Sequence, residues 1–212
     1  MSMTLQNILV FGGTSMDARE ETRTVPVQHL DDDALVAAAK AGRDDAFEEL
    51  VRRYRNEVFA FSHYFVRDRE EAWDLSQEVF VKAYKSLRRF RGDAAFKTWL
   101  MRITANRCKD HLKKRRLETV PLDEAIRTGH PSEGDDPASG AQAAELGKAI
   151  DAAVAGLPPK HQLAFVLREY QGLSYQEMAE VMDCNVGTVM SRLHHARKKL
   201  QDKLIAMGVR EA

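Results

Sequence analysis

Residues 157–204 read LPPKHQLAFVLREYQGLSYQEMAEVMDCNVGTVMSRLHHARKKLQDKL, and the fold turns on this stretch. Pro158 and Pro159 suit a helix start, where a missing N–H costs nothing. Leu163, Val166, Leu167 and Tyr170 recur at helical spacing, which gives one apolar face. Gly172 is placed to cap that helix. Ser174 and Glu177 have the spacing of a capping box, in which a hydroxyl and a carboxylate each satisfy an orphan N–H. Met178, Ala179 and Val181 supply the buried side of a short second helix. Asp183-Cys184-Asn185 reads as a turn, with Asn185 as N-cap of a third helix. There Val189, Leu193, Ala196 and Leu200 follow a 4-3-4 spacing and predict a core stripe. Thr188, Ser191, Arg192, His195 and Lys199 fall on the other side. This is the pattern of a helix-turn-helix, whose last helix can reach phosphates and base edges in a major groove.

Upstream, residues 31–116 read as helix throughout. Asp31–Asp33 offer N-caps for a helix to Ala41, ended by Gly42. Phe47, Leu50, Val51, Tyr54, Val58 and Phe65 mark a long amphipathic helix. A third helix starts near Asp68 with Ala72, Leu75, Val79 and Ala83 as its apolar stripe. Phe90-Arg91-Gly92-Asp93 breaks the pattern and reads as a loop. A fourth helix runs from about Ala94 to Lys113, with Phe96, Trp99, Leu100 and Ile103 inward. Its polar stripe is Thr98, Arg102, Asn106, Lys109 and Lys113.

Charge is segregated rather than absent. The 212-residue chain has a formal net charge of zero. Asp31–Asp33, Asp44, Asp45, Glu48 and Glu49 make its early part acidic. From Arg88 to Arg116 there are eleven Lys or Arg against Asp93 and Asp110. Such segregation predicts one face for nucleic acid and another for protein. Phe90, Phe96 and Trp99 lie among Arg88, Arg89, Arg91, Lys97 and Arg102. Cations that track a backbone and rings that stack on bases suit single-stranded DNA. The loop Phe90–Ala95 with Asn106 predicts a small pocket for an extruded base.

Other classes are disfavoured. The two cysteines, Cys108 and Cys184, form no C-x-x-C pair, and neither E-x-x-H nor H-x-x-x-H occurs, so no metal site, cofactor or catalytic reaction is expected. Both thiols read as inert. No apolar run reaches membrane-spanning length, and a reducing cytoplasm fits. Ile8–Thr14 imitates a strand entering a glycine turn, but the dinucleotide fingerprint is incomplete. Residues 1–30 are expected to be a disordered tail, with Met16 a candidate start. Residues 117–156 read as a linker, punctuated by Pro121, Gly129, Pro131, Gly134, Pro137 and Gly140; within them, Ala141 to Val154 is expected to resume helix. Stretched, such a linker reaches about 130 Å, more than the roughly 70 Å between DNA sites two helical turns apart.

The segments AWDLSQEVFVKAY and FRGDAAFKTWLMRITAN, followed by the helix-turn-helix, resemble extracytoplasmic-function sigma factors of bacterial RNA polymerase, in the sigma-70 family. The resemblance implies an all-α fold of two helical domains joined by a flexible linker: a region 2-like domain over 31–116 and a region 4-like domain over 157–206. It implies that Asp74, Gln77 and Glu78 dock on the clamp of the largest core polymerase subunit. Phe90, Arg91, Gly92, Asp93, Ala94, Ala95, Phe96 and Asn106, with the stripe Arg102, Lys109 and Lys113, would take the promoter's −10 element as an opened strand. Thr188, Met190, Ser191, Arg192, His194, His195 and Lys199 would read the −35 element as duplex. Met190 stands where the family often has arginine, which removes a bidentate contact to guanine. An anti-sigma factor is an expected partner, without direct membrane insertion. The rival readings are a helix-turn-helix regulator with a sensing or dimerising domain, and a nuclease with scattered acidic ligands.

Overall fold

A computed structural model describes residues 26–118 and 140–208. All regular structure among them is helical. The helices are α1 (Asp32–Lys40), α2 (Asp44–Val66), α3 (Arg69–Ser86), α4 (Phe96–Glu118), α5 (Gly140–Ala155), α6 (Pro159–Phe165), α7 (Tyr175–Met182) and α8 (Val186–Ala206). Single 3-10 turns sit at Val27–His29 and Leu87–Arg89.

Capping chemistry sets most boundaries. Asp31 accepts from the Ala34 N–H at 2.8 Å, and Asp68 accepts from Glu70 and Glu71 at 3.0 Å each. Ser174 and Glu177 complete the capping box of α7. Asn185 accepts from the Thr188 N–H at 2.8 Å to start α8. Gly172 has φ +69°, a left-handed conformation glycine adopts without a Cβ penalty. The expected stripes are buried: Ala72, Leu75, Val79 and Ala83 on α3, and Val189, Leu193, Ala196 and Leu200 on α8.

Helices α1 to α4 form one bundle, in which α3 and α4 both pack on α2. An ionic network fastens its start. Glu49, nearly fully buried, accepts from Arg52 at 2.7 Å and from Arg53 at 2.9 Å. Arg53 also pairs with Asp32 at 2.9 Å. These guanidinium groups, Arg52 foremost, hold the Glu49 carboxyl down at about 2.

One sequence expectation about the fold, the apolar placement of Tyr170, needs correction. Within the 117–156 linker, helix resumes as expected for Ala141 to Val154. Helix α4 continues to Glu118, and α5 occupies 140–155 and packs on α8. Residues 119–139 lie outside the described residues, as do residues 1–25 with the Ile8–Thr14 stretch. Tyr170 is not core. A π-helical turn over Val166–Tyr170 follows α6 and shifts the phase of the helix. Its ring lies on Tyr64 of α2 instead, with centroids 4.4 Å apart. The two modules, joined by the linker as expected, are in contact: α7 packs along α4, and a single apolar cluster runs from Leu35 to Leu200.

Candidate nucleic-acid interface

Two surfaces carry the chemistry. The first is the outer face of α8. Because Val189, Leu193, Ala196 and Leu200 are buried, Met190, Ser191, His194, His195 and Lys199 are left exposed. The Thr188 hydroxyl donates to the N-cap Asn185 at 2.9 Å. Arg192 is half-buried and donates to the Cys184 sulfur at 3.5 Å, which props its guanidinium beside the turn. Met190 is 53% exposed, a large apolar group displayed among polar ones. His161 of α6 lies 6.0 Å from the His195 ring. Burial, then the positive surroundings of His195, Lys199 and Arg192, push its pKa down.

The second surface is a cleft of about 320 Å³ at the start of α4. Arg89, Phe90, Arg91, Asp93, Ala94, Thr98, Trp99, Arg102 and Glu180 line it. The turn at Gly92, with φ +80°, folds the 90–95 loop back over the helix start. Phe90 packs against Trp99 at 4.9 Å and Phe96 at 6.2 Å. Lys40 holds the loop from beneath: its ammonium donates to the Phe90 carbonyl and sits 5.3 Å from the Phe90 ring.

Of the residues expected to take an opened strand, the cleft brings together Phe90, Arg91, Asp93, Ala94 and Arg102. Phe96 is core at the N-terminus of α4, and Phe90 is buried on all but its cleft edge. Neither ring presents a face for stacking. Trp99, half-buried on the cleft wall, is the ring that remains available. Asn106 does not join the pocket expected for it: it is exposed on α4, one turn beyond Arg102, as is Lys109 further along. Lys113 is exposed near the far end, while Gly92 and Ala95 are exposed in the loop. Thr98 is the clearest departure from the polar-stripe reading. It is 1% exposed, and its hydroxyl donates to Glu177 of α7 at 2.9 Å. Glu180 was not legible as a site residue, since it lies far along the chain and only packing brings it to the cleft.

On α3, Asp74, Gln77 and Glu78 are exposed. Glu78 is engaged by Arg107 of α4, so Asp74 and Gln77 are the freer pair. Trp73 and Val81, 56% and 52% exposed, flank Gln77 at four-residue steps and were overlooked. With the inward stripe fixed at 72, 75, 79 and 83, that same spacing could have found them.

Cys108 is buried and donates to the Ser62 hydroxyl at 3.9 Å. Burial pushes its thiol up to about 12, the mark of an unreactive cysteine. Among the described residues no cluster of three or more His, Cys, Asp or Glu could hold a metal ion. No helix among them is long and apolar enough to cross a membrane.

Comparison with known proteins adds to this geometry. Residues 50–118 match the Sigma-70 region 2 model, and residues 147–200 match the Sigma-70, region 4 model. The RNA polymerase sigma-H factor of Pseudomonas aeruginosa is 38% identical over 188 residues, covering 85% of this chain and 97% of the relative. The ECF RNA polymerase sigma-E factor of Escherichia coli K12 is 36% identical over 184 residues, covering 84% and 96%. Among solved structures, CnrH in complex with the cytosolic domain of CnrY superposes with a TM-score of 0.64 at 28% identity, over 82% of this chain and 97% of that one. The sigma factor RpoE bound to the anti-sigma factor NepR from Bartonella quintana shares the fold, with a TM-score of 0.60 at 24% identity, over 74% and 96%.

Proposed function

This chain belongs to the extracytoplasmic-function type of the sigma-70 family, and on that premise we propose how its surfaces divide the work of a promoter-specificity subunit. It is an RNA polymerase sigma factor, which confers promoter recognition on the core enzyme and starts DNA melting. The residue assignments that follow are our own reading.

The face of α8 lies in the major groove of the −35 element. Arg192 and Lys199 neutralise phosphates, which positions the helix, while Ser191, His194, His195 and Thr188 reach base edges. Met190 has no hydrogen bond to offer a base. Its apolar end suits the C5-methyl of thymine, by the same logic that pairs other apolar side chains with that group.

The cleft on α4 takes the opened non-template strand of the −10 element. Arg89, Arg91 and Arg102 track its phosphates, and Trp99 offers the stacking face. The loop Arg91–Ala95 walls the space for an extruded base, and Asn106, Lys109 and Lys113 extend the cationic track along α4. Base capture offsets part of the unstacking cost, a few kcal/mol per flipped base, so melting begins where these contacts exist. The α3 face of Asp74 and Gln77, with the apolar Trp73 and Val81 beside them, docks on the polymerase clamp, and Glu78 borders it. The protein works in the cytoplasm, has no reaction of its own, and is held in check by an anti-sigma factor.

One observation carries this reading: an open polar helix face and an arginine-lined aromatic cleft coexist on the two modules that match regions 4 and 2. Transcription by core polymerase, with and without the purified chain, on a genomic promoter library tests it. Defined start sites that require the chain are expected. Random initiation in both reactions would refute it.

A further inference from the structure

One wall of the strand cleft is a loop that its own residues do not hold in place. Residues 91–95 carry no regular structure between the 3-10 turn at Leu87–Arg89 and the start of α4. Among the described residues, neither Arg91 nor Asp93 spends its side chain on a hydrogen bond or ion pair. The hold comes from the first helix. Helix α1 packs on the 3-10 turn and on α4, and Lys40 is its last residue. The Lys40 ammonium donates to the Phe90 carbonyl and lies 5.3 Å from the centre of the Phe90 ring. One group thus grips both backbone and side chain at the root of the loop, by a charge-assisted hydrogen bond and a cation–π contact. Phe90 carries that hold inward through its ring contacts with Trp99 and Phe96. The other end of α1 is fixed as well. Asp32 pairs with Arg53 of α2 at 2.9 Å and accepts from the Tyr54 hydroxyl, and the Tyr54 ring meets Phe96 at 5.6 Å. Helix α1 is therefore a strut, with one end on α2 and the other under the strand loop. Lys40 itself does not line the cleft.

We propose that Lys40 is a positioning residue for strand capture: by holding Phe90 from outside the cleft, it sets where the Arg91–Ala95 wall stands, and so which base the cleft accepts. This rests on assigning the cleft to the −10 strand. A pocket tells bases apart only while its walls stay within about 0.5 Å of their proper place. Gly92, at φ +80°, bends the loop but a glycine does not fix it. The tether acts at the first residue, where a small rotation is passed to every residue beyond. Phosphate contacts are more forgiving, because Arg89, Arg91 and Arg102 meet a row of like charges that carries no sequence information. Losing the tether therefore costs discrimination before it costs grip.

Two substitutions in the full-length chain test this. Lys40→Met keeps the length of the stem and removes the charge and the donor, whereas Lys40→Arg keeps both. In the holoenzyme, competition among strands that differ at single −10 bases gives a discrimination ratio, and repeating it across salt concentrations counts phosphates. Lys40→Met is expected to lower the ratio about three- to tenfold, equivalent to about 0.7–1.4 kcal/mol, with an unchanged salt slope. Lys40→Arg is expected to stay within about twofold of wild type. A ratio unchanged in Lys40→Met would overturn the proposal. So would an equal loss in both variants, since a retained cation would then not be what holds the loop. So would a salt slope lower by about 1 in Lys40→Met with all bases weakened alike, which marks a direct phosphate contact. Amide hydrogen exchange of residues 91–95 in the free chain needs no DNA, and it should quicken about tenfold in Lys40→Met and not in Lys40→Arg. If the wild-type holoenzyme shows no base preference, it is the assignment of the cleft that fails. The exchange rates then still decide whether Lys40 holds the loop, and unaltered rates would refute that hold.

Discussion

The two nucleic-acid surfaces are built on opposite terms. The α8 face is finished: its helix is capped, its core stripe is buried, and Met190, Ser191, His194, His195 and Lys199 face outward. The α4 cleft is assembled from the 3-10 turn at Arg89, the loop after it, one face of α4 and Glu180 of the other module. The first is a surface local chemistry can make by itself. The second depends on how distant parts of the chain pack together.

The largest expected effect tests whether the surfaces are separable. Trp99→Ala in the holoenzyme should weaken strand capture by roughly 1–3 kcal/mol, the worth of one stacked base. Permanganate reactivity of the −10 region should fall about tenfold or more, while the −35 footprint persists. Loss of both together would break the comparison, provided circular dichroism shows the bundle folded. Next is Met190→Arg. It should exchange a thymine preference for guanine at one −35 position, with discrimination of about 1–3 kcal/mol; selection from a randomised upstream element would reveal it. An unaltered preference would remove Met190 from the reading set. A smaller effect is expected from Arg192→Ala, which should weaken duplex binding across sequences and lower the salt slope by about 1. An unchanged slope would mean that Arg192 stays with Cys184 and touches no phosphate.

The smallest effect separates the modules by stability. Glu49 is held at about 2 by Arg52 and Arg53, below the ordinary carboxyl value of 4.5. A depressed folded value contributes stability that is present above that ordinary value and lost as pH falls through the folded one. Chemical denaturation of the α1–α4 bundle should therefore be level above pH about 4.5 and decline toward pH about 2. Glu49→Gln should be less stable at neutral pH and flatter with acid. An identical acid profile in the variant would show that the network contributes nothing.

What the sequence made legible was what neighbours along the chain decide. Asp31, Asp68, Ser174 and Asn185 cap the helices that their positions announce, and 189, 193, 196 and 200 are core as their spacing requires. The wide turn at Val166–Tyr170 left no comparable mark, since its residues are ordinary helix formers and the extra residue is absorbed by packing on Tyr64. Thr98 and Glu180 were beyond reach for a different reason. A polar stripe on α4 looks solvent-facing until another module is laid on it, and a periodicity argument contains no information about residues about eighty positions away.

The two oxygens of Glu177 have separate employments. Oε2 accepts from the Ser174 N–H at 2.8 Å and so begins its own helix, while Oε1 accepts from Thr98 on another. A mutation that deletes this side chain would fray the start of the helix-turn-helix and remove a hydrogen bond between the modules in one stroke. A change confined to the seam between the modules has to be made across it, at Thr98, whose hydroxyl reaches Glu177 without touching the cap.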